Sequence, residues 1–121
     1  MNERLICINI PNTYPGASAA LSTFGYMYTE IDLTVVYVSV APHSDDSGAT
    51  FAVNDDGAAV IAAFAAADAD VPSTWVSTHF GGSNDPVVIA AGSKISFTAA
   101  NVDNGQSFVG YLLCLTGEKN A

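Results

Sequence analysis

Basic side chains are almost missing from this sequence. Of 121 residues, three are Lys or Arg and 12 are Asp or Glu, for a net charge of −9. The cations are Arg4, Lys94 and Lys119, so Lys94 stands alone between Leu5 and Gly117. A nucleic-acid backbone or an anionic membrane surface would be repelled by such a chain, and neither is expected as a partner. Charged residues of both signs make up 12% of the chain, about half the usual share. A surface short of charge and rich in Ala, Ser, Thr and Gly suits closely packed protein–protein contacts, whose centres are depleted in charge. The acidic excess also fits a protein exposed to high salt, where self-repulsion is screened.

Cysteine is confined to Cys7 and Cys114, one near each end. The first and last strands of many sandwiches are neighbours, so a bridge between them is geometrically possible. The favoured reading is two buried thiols acting as small hydrophobes. Long hydrophobic runs are missing too, and none approaches the ~18 residues that span a bilayer. The N-terminus MNERLICINI has no basic segment ahead of a long apolar one. The expectation is a chain made in a cytoplasm and not exported by the usual route.

The residue sets that carry chemistry are equally sparse. His43 and His79 are the only histidines, and no CxxC or HxxxH spacing joins them to the cysteines in a zinc set. His43 lies beside Ser44, Asp45 and Asp46, but residues adjacent along one loop do not converge as a catalytic triad does. The pairs Asp45–Asp46, Asp55–Asp56 and Asp68–Asp70 lack the register of a calcium loop. They read as turn residues on a solvated surface. There is no phosphate loop, no dinucleotide fingerprint and no nucleophile elbow. The sequence predicts a protein that is not an enzyme, with no cofactor and no metal.

What is present is β pattern. At 121 residues the chain is one domain by size, residues 1–121, large enough to bury a core without staples. Leu5–Ile10, Leu21–Thr29, Ile31–Val40 and Thr50–Val53 read as strands, the last closed by the turn sequence Asn54–Gly57. Pro72–Phe80 reads as a further strand, with Trp75, Ser77 and His79 on one side. Pro42–Gly48 is expected to be an exposed loop. Lys94–Thr98 and Ser107–Leu115 flank the polar Asn101–Gln106 and read as a hydrophobic hairpin closing the domain, its last strand in the middle of a sheet. The ambiguous segment is Ala58–Asp70, AAVIAAFAAADAD, where Val60, Ile61 and Phe64 fall at helical spacing. Its neighbours and its acidic end favour strand and loop, with a short helix within 58–70 as the alternative. The pattern predicts an all-β fold, an antiparallel β-sandwich of about seven to nine strands.

The order of segments then becomes informative. ATFAVNDDG is followed by a small-residue stretch, PSTWVSTHF, VVIAAGSKISFTAA and a closing SFVGYLLCLTGE. This resembles the jelly-roll decoration, or cement, proteins of tailed-phage and related viral capsids, and the similar sandwich domains of head fibres. Ile89–Phe97, IAAGSKISF, carries most of the likeness. The resemblance implies a virion structural protein on the capsid surface, made in the host cytoplasm and bound to the major capsid protein, often as a homotrimer. It implies an N-terminal arm at residues 1–5, with Arg4 and Leu5 as interface residues. The aromatic residues offer an alternative. Tyr26, Tyr28 and Tyr37, with Trp75, could form a sugar-stacking platform on a carbohydrate-binding or adhesin-type sandwich of a fibre or tail, with a glycan as partner. Core or subunit-interface positions are the other reading of the same residues.

Overall fold

The computed structural model describes residues 4–10, 22–103 and 106–116. Nine strands run in order: β1 (Arg4–Ile10), β2 (Ser22–Tyr28), β3 (Leu33–Pro42), β4 (Thr50–Asp55), β5 (Ala58–Ala65), β6 (Ser73–Val76), β7 (Val87–Ile89), β8 (Lys94–Ala100) and β9 (Phe108–Thr116). They form two antiparallel sheets. One has the order β1-β9-β3-β6, with β7 also paired to β3, and the other has the order β2-β8-β4-β5. The chain is therefore the all-β antiparallel sandwich that its strand spacing predicts, at the upper end of the expected strand count.

The strands alternate sides because each carries one apolar face. Val35, Val38 and Val40 of β3 and Leu112 and Cys114 of β9 meet Phe51, Val53, Ile95, Phe97 and Ala99 of the opposite sheet in one buried core. Phe51 sits at the centre. Its ring centroid lies 5.7 Å from that of Phe97 beside it and 6.0 Å from that of Phe108 across the sandwich. β9 is indeed interior to its sheet, hydrogen-bonded to β1 on one side and β3 on the other. Val38 and Leu112 both lie under 2% exposed, as the apolar run of the last strand requires.

Four expectations need correction. β8 and β9 are not a hairpin, because they belong to opposite sheets. The connection between them crosses the end of the sandwich, with Asn101 at φ 57 and buried Val102 anchoring it. Gln106 pins the far side, donating from Nε2 to the Ser44 carbonyl at 2.7 Å. Next, Pro72–Phe80 is not one strand. β6 stops at Val76, and Thr78–Phe80 form a 3-10 turn. Ser77 Oγ accepts from the His79 N–H, and Gly81 leaves the turn at φ 84. Gly82 packs so tightly on the Val76 backbone that a Cβ there would overlap the carbonyl.

Arg4 and Leu5 are not part of an arm. They begin β1, opposite Thr116 and Leu115. Residues 1–3 lie outside the described residues. Finally, the loop after β3 is not uniformly exposed: Asp46 within it is 2% exposed.

The segment 58–70 is strand followed by loop, as favoured. The Asp56–Gly57 turn, with φ of 52 and 89, has the positive φ pair of a type I′ hairpin. The helix-like spacing has a physical origin. Val53 faces Ile61 and Phe51 faces Phe64, so β5 carries one residue more than β4 between these pairs. That is a β-bulge, and it leaves Ala62 and Ala63 exposed while Ile61 and Phe64 turn to the core.

Candidate functional site

The outer face of the four-stranded sheet begins with a second bulge. Phe24 lies opposite Phe97 and Met27 opposite Ile95, so Gly25 and Tyr26 together oppose Ser96. Gly25 takes φ 73, which a residue with a Cβ rarely adopts. Bulges of this kind re-aim the next side chain. Here Tyr26 and Tyr28 both stand outward, 60% and 72% exposed, while Met27 between them packs against the core. Lys94 lies opposite Tyr28 on β8, and its Nζ sits 5.2 Å from the centre of the Tyr26 ring. The two tyrosines form a ridge along β2.

Beside the ridge the face is low and polar. Asn54 donates from Nδ2 to Thr98 Oγ1 at 2.8 Å and to Ser96 Oγ at 3.2 Å. Thr98 Oγ1 lies 3.4 Å from Thr23 Oγ1, linking β4, β8 and β2 in one hydroxyl–amide chain. Ala52, opposite Thr98, and Ala59, opposite Asn54, continue the surface without adding height. The result is an aromatic wall over a shallow floor of small polar and methyl side chains. Rings stacked on the wall would find hydroxyl and amide groups within reach on the floor.

Of the four aromatics considered for a platform, only these two share a face. Trp75 lies opposite Val38 on β6 and packs inward against the core. Tyr37 lies on the outer face of the other sheet, 6.2 Å from Tyr111 and 5.8 Å from Phe80. The 3-10 turn delivers Phe80 there, with the His79 ring 5.0 Å from it. His79 is thus a turn residue rather than a strand residue, and His43 is exposed on its loop.

Sequence reasoning missed Lys94, Asn54, Ser96, Thr98 and Thr23 as a group. The available signal was Gly25 inside a strand, which marks a bulge.

The cysteines lie diagonally across the β1–β9 pair. Ile6 faces Cys114 and Cys7 faces Leu113. Their side chains therefore point to opposite faces, and both thiols are free. Cys114 is buried as expected, but Cys7 is exposed, which corrects the reading of two buried thiols. Burial, and secondarily the neighbouring Cys7, push the Cys114 thiol up to about 12.

The aspartates have structural partners of an unexpected kind. Asp46 Oδ2 accepts from the Asp103 N–H at 2.8 Å, and Asp45 Oδ1 from the Ala69 N–H at 2.9 Å. Asp56 Oδ1 accepts from the Lys94 N–H and Asp32 Oδ1 from the Ala91 N–H, each at 2.9 Å. These carboxylates staple backbone donors between loops, so they need no cationic partner. Among the described residues no group of three or more His, Cys, Asp or Glu is placed to hold a metal ion.

Comparison with protein families finds no matching family, and comparison with curated proteins finds no matching sequence. Among solved structures the chain is similar to the CBM36-1 domain, a carbohydrate-binding module, of a multidomain xylanase from the hindgut metagenome of Trinervitermes trinervoides. The TM-score is 0.50 at 10% identity, over 98% of this chain and 100% of that domain. The likeness is one of fold: two β-sandwiches of the same extent.

Proposed function

We propose that this chain is a non-catalytic carbohydrate-binding module whose ligand lies across the outer face of the four-stranded sheet. The observation that carries this reading is the tyrosine ridge over the hydroxyl floor. Pyranose rings have apolar faces that stack on aromatic side chains and equatorial hydroxyls that need hydrogen-bond partners. Tyr26 and Tyr28, two residues apart on one strand, offer the stacking surface. Thr23, Ser96, Thr98 and the Lys94 ammonium offer the partners. The shallow floor favours an extended chain rather than a single buried sugar. A sandwich is common to capsid decoration proteins and carbohydrate-binding modules, so it favours neither. The exposed tyrosines favour the sugar.

The test is affinity electrophoresis and calorimetry of the purified chain with soluble β-xylan, β-glucan and galactomannan. Retardation by at least one of them is expected. Tyr26→Ala and Tyr28→Ala should each weaken binding by roughly tenfold, about 1.4 kcal/mol. Because the ligand is neutral and one lysine is involved, added salt should change the affinity little. No retardation by any polysaccharide, or tyrosine variants that bind as the parent does, would sink the reading.

A further inference from the structure

The opposite surface of the sandwich has a different character, and it goes beyond the reading above. The strands β1, β9, β3 and β6 contain one charged residue, Arg4, at the start of β1. In a chain with a net charge of −9 this is a segregation, since every Asp and Glu lies elsewhere. The outward positions fall into cross-strand rows. Leu5 lies beside Leu115, Cys7 beside Leu113 and Leu113 beside Tyr37. Leu5 is 49% exposed and Val109 58% exposed on this same surface. Phe80 at 43% extends it past Tyr37. A contiguous apolar surface of this kind marks an interaction site.

We propose that this face is where two copies of the chain pack together, sheet against sheet. Its size is right. Four strands about 4.8 Å apart, each with about seven residues at about 3.3 Å, present roughly 450 Å² in projection. Side-chain relief raises the accessible area toward the roughly 800 Å² that each partner gives a standard interface. Its charge also points to a second copy. A basic partner would be drawn to the aspartate-bearing loops and turns, whereas two acidic chains repel each other least through their one surface free of carboxylates. A twofold arrangement lets identical faces meet and leaves both tyrosine ridges pointing outward, able to engage one ligand chain at two places.

The test is sedimentation velocity under reducing conditions over a wide range of concentration, with the alkylation rate of Cys7 measured in parallel. The expected mass rises with concentration to twice the 12.5 kDa of the chain. Cys7, exposed on this face, should lose reactivity several-fold as it does so. The double variant Leu5→Lys, Val109→Lys changes two exposed side chains and should hold the protein monomeric while its circular dichroism stays native. Ala59→Lys, on the other sheet, should leave the dimer intact. A monomer at every concentration would overturn the proposal. So would a larger assembly that survives the double substitution, or a threefold mass with Cys7 still freely alkylated. None of these measurements involves a sugar, so they stand or fall apart from ligand binding.

Discussion

Single residues set hard limits on this sandwich. Gly110 of β9 lies opposite Val40, and a Cβ there would overlap the Ser39 carbonyl oxygen and come within 2.9 Å of Val40 Cα. The neighbouring atoms are backbone in a central strand pair, which has little room to shift. Gly110→Ala should therefore destabilise by about 3 kcal/mol or more, read as a lowered urea midpoint. Cys114 gives a pH-dependent effect. Its thiol is pushed up from 9.0 to about 12 by burial, so the folded state holds the proton more tightly than the unfolded one. That stabilisation is complete below pH 9 and is lost as the pH climbs toward 12. Cys114→Ala should thus flatten the alkaline loss of stability while lowering stability near neutrality by about 1 kcal/mol. Denaturant melts of both proteins at several alkaline pH values check this, and parallel slopes would count against it.

At the scale of elements, the two bulges decide what faces where. Gly25 gives Tyr26 its outward direction through a backbone at φ 73. Gly25→Ala should cost about 1–2 kcal/mol and weaken polysaccharide binding, whereas an exposed tyrosine exchanged for alanine should alter binding with almost no change in the thermal midpoint. That contrast, measured by calorimetry beside thermal melts, separates aiming from contact. The same bulges show what was legible in the sequence. Strand alternation located β3, β4 and β9 and placed β9 inside a sheet, because period-two burial is written directly in residue order. A bulge breaks that period. It made Ile61 and Phe64 resemble a helix face, and it hid the pairing of Tyr26 with Lys94. Sheet membership was not legible either, since the apolar run of β9 is the same whether its partner is β8 or β3. The 3-10 turn was hidden for a related reason: Trp75, Ser77 and His79 alternate in sequence, but Ser77 caps and Gly82 folds the chain back.

At the scale of the whole molecule, charge is the least balanced quantity. Twelve acidic residues face three basic ones. The carboxylates of Asp32, Asp45, Asp46 and Asp56 are held locally by backbone N–H groups, which satisfies each one without neutralising the sum. The folded state gathers this negative charge into a small volume, and the unfolded chain spreads it out, so repulsion favours unfolding. Raising ionic strength from about 0.01 M to about 1 M shrinks the screening length from roughly 30 Å to roughly 3 Å and removes most of that repulsion. The thermal midpoint should climb with sodium chloride by about 4 °C for each kcal/mol recovered in a domain of this size. Salt also strengthens apolar burial to some extent, so the charge contribution needs its own control. Asp70 and Asp85 are exposed, and exchanging both for lysine moves the net charge four units toward zero. If repulsion is the cause, Asp70→Lys, Asp85→Lys should melt higher than the parent at low salt and respond less to added salt, the two curves converging near 1 M. Equal salt slopes for the two proteins would assign the effect to apolar burial instead, and the acidic surface would then serve solubility rather than a saline setting.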